Sequence, residues 1–449
     1  MRKGGQDAEL CTATITELDY RGSGVARVGS KVVFVDGALP GETVRFRVTK
    51  RRSRFDQAQL VHVDSPSPHR VAPRCPHFGL CGGCSLQHLD QPQQVAFKQR
   101  HLLDQLQTSA GLSPLRVLPA LTGHVWGYRR KARLGVKHVP KKGGALVGFR
   151  ERNDHRIAQL ERCEILPGEV GSAIRALRDL VSGLDVNNKI PQIEVAVGDP
   201  GIEGEQRVAL VVRHLVALPE SDRETLCDFA RTRGFQLYLQ PGGLDTIACV
   251  WPERPAPLSY RIPDYGLAFE FVPSDFIQVN AEINRALVHQ AVELLAPDSS
   301  DTVLDLFCGI GNFSLALSRH AGEVIGVEGL DTLVQRARHN ARLNAVANVR
   351  FETADLADAQ SCAFWLGQGC SKLFLDPPRS GAREVVRQLR EPYPGQILYV
   401  SCNPATLARD AADLAALHGY RLLACGVVDM FPHTSHVEAI AFFERPATA

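Results

Sequence analysis

From residue 302 onward the chain repeats one arrangement, a short apolar run, a turn and then a helical stretch. "TVLDLFCGIGNFSLALS" is an apolar strand that runs into a glycine loop and a helix, and "EVIGVEGLDTLVQRARHNARLN" repeats strand then helix. "VRFETAD", "KLFLDPPRSG" and "ILYVSCNPATLARDAADLAALHG" continue the series. Strands separated by helices pair in parallel, because each helix carries the chain back across a sheet face. The segment is therefore expected to form an α/β, doubly wound sheet. The last two runs, "YRLLACGVVDMF" and "VEAIAFFE", have no helix between them and must pair as a hairpin, giving the sheet an antiparallel edge.

Open α/β sheets bind ligands outside the carboxyl ends of their strands. Gly309 and Gly311 follow the first strand and let the backbone turn sharply against a ligand. A G-x-G loop lacks the third glycine of the dinucleotide fingerprint, and Asp305 at its entrance would repel a pyrophosphate. Glu328 ends the next strand, where a carboxylate can accept from both hydroxyls of a ribose. Asp355 ends the third strand, in reach of an adenine amine. Each carboxylate alone could only cap a helix. Together, in order on successive strands, they suit S-adenosylmethionine, which carries adenine, ribose, an ammonium and a sulfonium but no phosphate. Methyl transfer is the expected reaction.

The fourth strand ends in "LFLDPPRSG", where Arg379 follows the prolines; amino-methylating enzymes of this fold tend to place an aromatic ring there. The fifth ends in "LYVSCNPATLARD", which puts Cys402 on a turn leading into a helix, whose N-terminus can lower a thiol pKa. A thiolate beside a methyl donor has a specific use. Addition to carbon 6 of a pyrimidine makes carbon 5 an enolate carbon able to attack the sulfonium methyl. A base must then remove the carbon 5 proton, and Glu438, at the start of the last strand, is the best-placed carboxylate. Asp376 is a candidate to hold the target ring or the donor.

Upstream of the sheet, residues 1–68 alternate apolar and polar positions in short runs punctuated by Gly, Pro and Asp, as a small β-barrel would. The run "GVARVGSKVVFVDGALPGETV" resembles a TRAM domain, an RNA-binding barrel related to the OB fold. "DSPSPHRVAPRCP" marks a boundary. Residues 69–272 form a middle region with a helix expected from Gln91 to Thr108, and the catalytic region is assigned to 273–449. Six basic residues and no acidic one lie between Arg45 and Arg54, and ten Lys or Arg face only Glu151 and Asp154 between Trp126 and Arg156. A charge run is often only a solvated face. Two of them, the second interleaved with Trp126, Tyr128 and Phe149, favour a polyanion partner with rings for base stacking. The start of the chain has no apolar segment behind its charges, and no stretch approaches 18 apolar residues, so a cytoplasmic protein without membrane attachment is expected.

The motifs "DLFCGIGNF", "LDPPRSG", "VSCNPATLARD" and "SHVEAIAFFER" resemble those of the RNA uracil-5-methyltransferase family, and "DFIQVN" at 275–280 is also similar to it. The resemblance runs from the barrel to the C-terminus. It implies a Rossmann-like class I methyltransferase domain, S-adenosylmethionine contacts at Gln278, Phe307, Asn312, Glu328, Asp355 and Asp376, Cys402 as nucleophile and Glu438 as base. The family has a tRNA branch and a 23S ribosomal RNA branch, and the tRNA branch lacks the barrel.

Twelve cysteines are too few for a disulfide scaffold in a 449-residue chain, and most sit singly as small buried hydrophobes would. "CPHFGLCGGC" is different, with Cys75, Cys81 and Cys84 inside ten positions and Cys163 in "ERCEIL" as a distant fourth. Four thiolates suit zinc, although this spacing is unlike paired C-x2-C knuckles. They also suit a [4Fe–4S] cluster, and the 23S branch of the family carries one at this arrangement. The resemblance thus implies an iron–sulfur-bearing α+β middle domain and a monomeric enzyme that makes 5-methyluridine in 23S rRNA, on a single-stranded or loop segment with the uridine flipped out. The alternatives are another 23S uridine, tRNA, or an RNA-binding or chaperone role without turnover.

Overall fold

The computed structural model describes residues 10–200 and 207–446; the charged start of the chain, residues 1–9, lies outside the described residues. The chain divides into two compact units. One comprises the residues up to 101 with 150–156 and 431–436, and the other 102–149, 157–430 and 437 onward.

In the first unit β1 (Leu10–Thr14), β2 (Glu17–Leu18), β3 (Gly24–Val28), β4 (Lys31–Asp36), β5 (Thr43–Arg51) and β6 (Phe55–Ser65) form one sheet in the order β1-β5-β6-β4-β3-β2. The alternation read from the sequence is a physical one. Val44 and Phe46 of β5 are buried with Val33, Val35 and Ile15, while Arg45 and Arg47 point the other way. The buried carboxylate of Glu42 fastens the proline-rich segment behind the barrel, accepting from the Ser67 N–H (3.2 Å) and the Arg70 guanidinium (2.7 Å at Nη2). Helix α1 (Gln91–Ala110) runs two residues past the expected end, and Leu102 and Leu106 on it belong to the core of the second unit.

The second unit begins with β7 (Arg116–Val117). A six-stranded sheet follows, from β8 (Lys131–Val139), β9 (Gly144–Gly148), β10 (Gln192–Val197), β11 (Val208–Arg213), β12 (Gln236–Gln240) and β13 (Ala248–Trp251), in the order β13-β12-β11-β10-β8-β9. Helices α2 (Gly168–Gly171) and α3 (Ile174–Gly183) lie in the β9–β10 connection, and α4 (Glu220–Arg233) provides the one crossover, making β11 and β12 parallel. A hairpin of β14 (Leu258–Ile262) and β15 (Leu267–Phe271) leads to α5 (Ala281–Leu295), whose N-terminus is capped by the Asn280 side chain (3.3 Å to the Ile283 N–H).

The largest sheet then alternates β16 (Thr302–Leu306), α6 (Ser314–Leu317), β17 (Glu323–Glu328), α7 (Asp331–Leu343), β18 (Val349–Thr353), α8 (Ala359–Leu366), β19 (Lys372–Leu375), α9 (Arg383–Arg387), β20 (Gln396–Ser401), α10 (Pro404–His418), β21 (Arg421–Val428) and β22 (Glu438–Glu444). Its order is β18-β17-β16-β19-β20-β22-β21-β7, parallel from β18 to β20. The last two strands pair antiparallel as their sequence requires, with β22 inserted between β20 and β21. The two-residue β7 follows β21 in parallel at the edge, so a segment from the middle region completes this sheet.

Two asparagines, Asn340 in α7 and Asn344 just past its end, stand in for a strand beside β15. Asn344 donates to the Ala268 carbonyl (2.6 Å) and accepts from its N–H (2.8 Å), and Asn340 accepts from the Glu270 N–H (2.9 Å). Asn340 also donates to the Ile310 carbonyl (3.2 Å), which ties the hairpin to the glycine loop.

Packing beneath that loop is tight. A Cβ at Gly326 in β17 would lie 2.5 Å from the Phe351 ring and 3.0 Å from the Cys308 sulfur, whereas one at Gly329 would meet nothing nearer than 3.9 Å. Gly326→Ala is expected to cost about 1–3 kcal/mol of stability through overpacking, with Gly329→Ala near neutral, as read from urea denaturation midpoints.

Candidate active site

The sheet's register assembles the site. Leu306 of β16 lies opposite Leu375 of β19, and Leu375 opposite Tyr399 of β20, so three parallel strands finish side by side. Asp376 follows Leu375 and Cys402 follows Ser401 by one residue each. Antiparallel β22 starts where the others stop: Ala439 pairs with Ser401, and one further step along the register sets Glu438 against Cys402. Glu438 is buried, Cys402 half-buried.

This proximity changes the thiol in a way that the sequence did not suggest. Burial raises the Cys402 pKa, the carboxylates of Glu438 and Asp376 raise it further, and Arg379 opposes them. The helix N-terminus was expected to favour thiolate. It is outweighed because the side chain sits partly desolvated, with the Glu438 and Asp376 carboxyl groups acting on it, while α10 is capped by its own Asn403 (3.1 Å to the Ala405 N–H).

The "DPPRSG" loop between β19 and α9 is bolted to the start of α10. The Arg379 carbonyl accepts from Asn403 (3.1 Å) and Thr406 (3.3 Å), and the Ser380 carbonyl from Arg409 (2.9 Å). Buried Asp410 accepts from the Ala382 N–H and the Tyr399 hydroxyl, both at 2.8 Å. Asp376 and Cys402 are therefore held on one rigid assembly.

Beside them lies the glycine loop. Phe307 adopts a φ of +67°, unusual for a residue with a Cβ, as its N–H and that of Cys308 both donate to the Val327 carbonyl (2.9 and 3.1 Å). Gly309 and Gly311 also have positive φ, and no atom lies within 4 Å of the position a Cβ would take at Gly309. Glu328 accepts one backbone N–H on each oxygen, from Gly309 (3.2 Å) and Leu330 (3.1 Å), which fixes it at the loop and leaves a lone pair on each for a diol. Asp355 lies exposed two residues past β18, accepting from the Ala357 N–H (2.9 Å). Asp305 is fully buried: Ser314 donates to Oδ2, Oδ1 has no hydrogen-bond partner, and burial pushes its pKa up to about 8. Burial also moves Asp376 up to about 7, against a hydrogen bond from Gln278 (3.4 Å). An open glycine turn beside an orphaned buried carboxylate oxygen fits a ligand with a diol and a positive charge.

Two expected contact residues are spoken for in part. Asn312 exchanges paired amide hydrogen bonds with Asn284 (2.9 and 3.0 Å) and accepts from the Tyr260 hydroxyl (2.9 Å). Buried Gln278 gives its carbonyl to Arg130 (3.0 Å). Arg130 is itself 4% exposed, reaches Asp199 (3.4 Å) and stacks over the Tyr260 ring (4.6 Å). A single guanidinium thus braces both the 275–280 segment and the tyrosine that holds Asn312. Lys131 donates to the Asp275 carbonyl of the same segment.

Neither residue was singled out from the sequence, where both belong to a basic run read as an RNA footprint. Part of that run turns inward instead, and Tyr128, one of the rings offered for stacking, is buried. Lys137, Lys141 and Lys142 around the β8–β9 turn are exposed. In the first unit Arg47, Lys50, Arg51, Arg52 and Arg54 are exposed on β5 and the turn after it, while Arg45 pairs with Asp64 (3.0 Å).

Cys75, Cys81 and Cys84 are half-buried in the first unit, on a turn closed by Phe78 N–H to Cys75 O (3.1 Å) and Cys81 N–H to His77 O (2.9 Å). The Gly83 N–H donates to the Cys81 sulfur (3.4 Å). Cys163 belongs to the second unit. Among the described residues no group of three or more His, Cys, Asp or Glu side chains stands at metal-holding geometry. No helix among them is long and apolar enough to cross a membrane.

The fold matches that of the Pyrococcus abyssi tRNA (uracil-54, C5)-methyltransferase solved in complex with S-adenosyl-L-homocysteine, with a TM-score of 0.72 over 96% of this chain and 99% of that one, at 24% identity. The likeness is one of fold; the class, that of the Rossmann-like methyltransferases, comes from the sequence, where the tRNA (Uracil-5-)-methyltransferase family matches residues 258–446 and the TRAM domain residues 9–61. Curated relatives narrow it further. The 23S rRNA (uracil(1939)-C(5))-methyltransferase RlmD of Alkalilimnicola ehrlichii is 52% identical, and that of Xanthomonas axonopodis pv. citri 49%, each over 96% of both chains. The chain belongs to the 23S rRNA (uracil-C5)-methyltransferase family.

If Arg130 braces the segment as described, Arg130→Met is expected to speed amide hydrogen exchange across 275–280 by about tenfold or more, the loss of one buried charged hydrogen bond. Exchange in the barrel should not change.

Proposed function

We propose that the chain transfers the methyl group of S-adenosylmethionine to carbon 5 of a uridine in 23S rRNA, with Cys402 as nucleophile and Glu438 as base. The observation that carries this reading is the register that sets Cys402 against Glu438 beside Asp376, in a chain about half identical to enzymes named for that reaction. The relatives' printed position, uracil 1939, is the substrate we assign.

Cys402 Sγ forms the bond to carbon 6, and its proton passes to a facing carboxylate, for which Asp376, titrating at about 7, is poised. Carbon 5 then carries the electron pair that takes the methyl group, which the donor supplies on a cationic sulfur. Glu438 removes the carbon 5 proton, the carbon 5–carbon 6 double bond re-forms, and Cys402 leaves. Gln278, Phe307, Asn312, Glu328, Asp355 and Asp376 are assigned to the donor. Of these, Phe307 and Asn312 act through shape and support, since one turns the loop and the other clamps it to α5 and β14.

The RNA is assigned to the exposed basic residues of β5 and of the β8–β9 turn, with the chain divided into a barrel (1–68), a middle region (69–272) and a catalytic region (273–449). A [4Fe–4S] cluster on Cys75, Cys81, Cys84 and Cys163 is part of the same reading. The cysteine turn supports it, because three thiols share one hairpin-like loop and a backbone N–H already points at the Cys81 sulfur. No step of methyl transfer passes through it.

Cys402→Ala is expected to lower methyl transfer to a 23S fragment by at least about a thousandfold, and Glu438→Gln to accumulate a covalent protein–RNA adduct on a denaturing gel, since the methylated intermediate keeps its carbon 5 proton. Full activity in Cys402→Ala would overturn the assignment. Protein purified without oxygen is expected to contain about four iron atoms per chain, lost in Cys81→Ser. Iron-free, folded wild-type protein would remove the cluster.

A further inference from the structure

We propose that Asp305 and Asp376 act as a proton-holding pair that reads the charge on the ligand's sulfur, giving up one proton when the cationic methyl donor enters and taking one back when the neutral product remains. Charge, rather than shape, would then separate two ligands that differ by one methyl group. The proposal rests on the reading of S-adenosylmethionine as donor.

The geometry is unusual for buried carboxylates. Asp305 is sealed inside the sheet, with Oδ1 lacking any hydrogen-bond partner and Ser314 alone, through its hydroxyl on Oδ2 and its backbone N–H, opposing the burial. The groups that face it are Ser314 from α6, Asp376 at the end of β19, Glu328 at the end of β17 and the Cys308 thiol on the glycine loop. Asp376 faces Gln278 on one side and Cys402 on the other. None of these groups is a cation. Of the basic side chains nearby, Arg379 acts on Cys402, while Arg130 and Lys131 are turned to the Gln278 and Asp275 carbonyls. Buried carboxyls with no cation acting on them resist ionising, so without a ligand the pair keeps a proton; burial raises both, to about 8 for Asp305, where Asp376 and Glu328 add to it, and to about 7 for Asp376.

The donor carries an ammonium, a sulfonium and a carboxylate, for a net charge of +1; the product has lost the sulfonium charge and is neutral. Entry of the donor supplies the missing counter-charge and expels the proton to solvent. Methyl transfer turns the sulfonium into a thioether, and the pair recovers a proton from solvent. No oxidant or further reactant is needed. The sign follows from linkage. A ligand that binds the deprotonated pair gains affinity as pH rises toward the folded pKa and levels off above it, and one that binds the protonated pair does not.

The test is isothermal titration calorimetry of the full chain with S-adenosylmethionine and S-adenosylhomocysteine in two buffers of different ionisation enthalpy. At pH 7 the expected result is release of about one proton per donor bound and none per product. The ratio of product Kd to donor Kd should rise about tenfold from pH 6 to 7 and flatten above pH 8. Asp305→Asn should at least halve the proton release. Should that variant fail to fold, the wild-type proton counts decide alone. Equal counts for the two ligands overturn the proposal and leave the methyltransferase reading standing. Absence of binding by either ligand overturns that reading itself.

Discussion

The insertion of β22 between β20 and β21 is the constraint on which the site depends. A parallel sheet brings only strand ends to its carboxyl edge, and each strand can present one residue there in line with its neighbours. An antiparallel strand brings its beginning to the same edge. Because Ala439 pairs with Ser401, Glu438 arrives beside Cys402 from a part of the chain that a further parallel strand could not have placed there. The same register leaves the Tyr399–Asp410–Ala382 contacts to fix the proline loop, so Cys402, Glu438 and Asp376 are carried on one body.

Around that body the charges are sorted by partner. Carboxyl groups gather at the glycine turn, while the cations Arg130, Lys131 and Arg336 spend their hydrogen bonds on carbonyls of the 275–280 segment, on Asp275 and on Asp199. Such an arrangement is costly, since burial and like charges raise a carboxyl's pKa. It persists because the surrounding packing over-determines it, from Ser314 on Asp305 to Asn340 and Asn344 along β15. A site that lacks a counter-charge is a site prepared for a cation.

Much of this was legible in the residues. Alternating strands and helices specify a parallel sheet, the absence of a helix before the last strand specifies the antiparallel pair, and the glycine turn with Asp305, Glu328 and Asp355 is the basis on which the ligand's chemistry is proposed. Direction was not legible. A basic run has the same composition whether its side chains face solvent or a neighbouring carbonyl, so Arg130 and Lys131 could not be told from Lys141. Nor does spacing reveal that Asn312 is held by Tyr260 and Asn284, partners 52 and 28 residues away. The thiol was misjudged for a related reason: the helix N-terminus is local and visible in "SCNPATL", while the carboxylates that outweigh it come from other strands.

That raised thiol is consistent with the order of events the site imposes. A cysteine held as thiol is a poor nucleophile and resists oxidation, so Cys402 at rest is protected. Burial does most to keep it so, and Glu438 and Asp376 add to it, the second of which also accepts from Gln278. A positive charge placed next to Asp376 weakens the field at Cys402, and in a low-dielectric site a single charge a few ångströms away outweighs a helix end already capped by Asn403. In the proposed mechanism, donor binding and activation of Cys402 are then coupled through Asp376. On that proposal the cysteine becomes reactive once the methyl donor is in place.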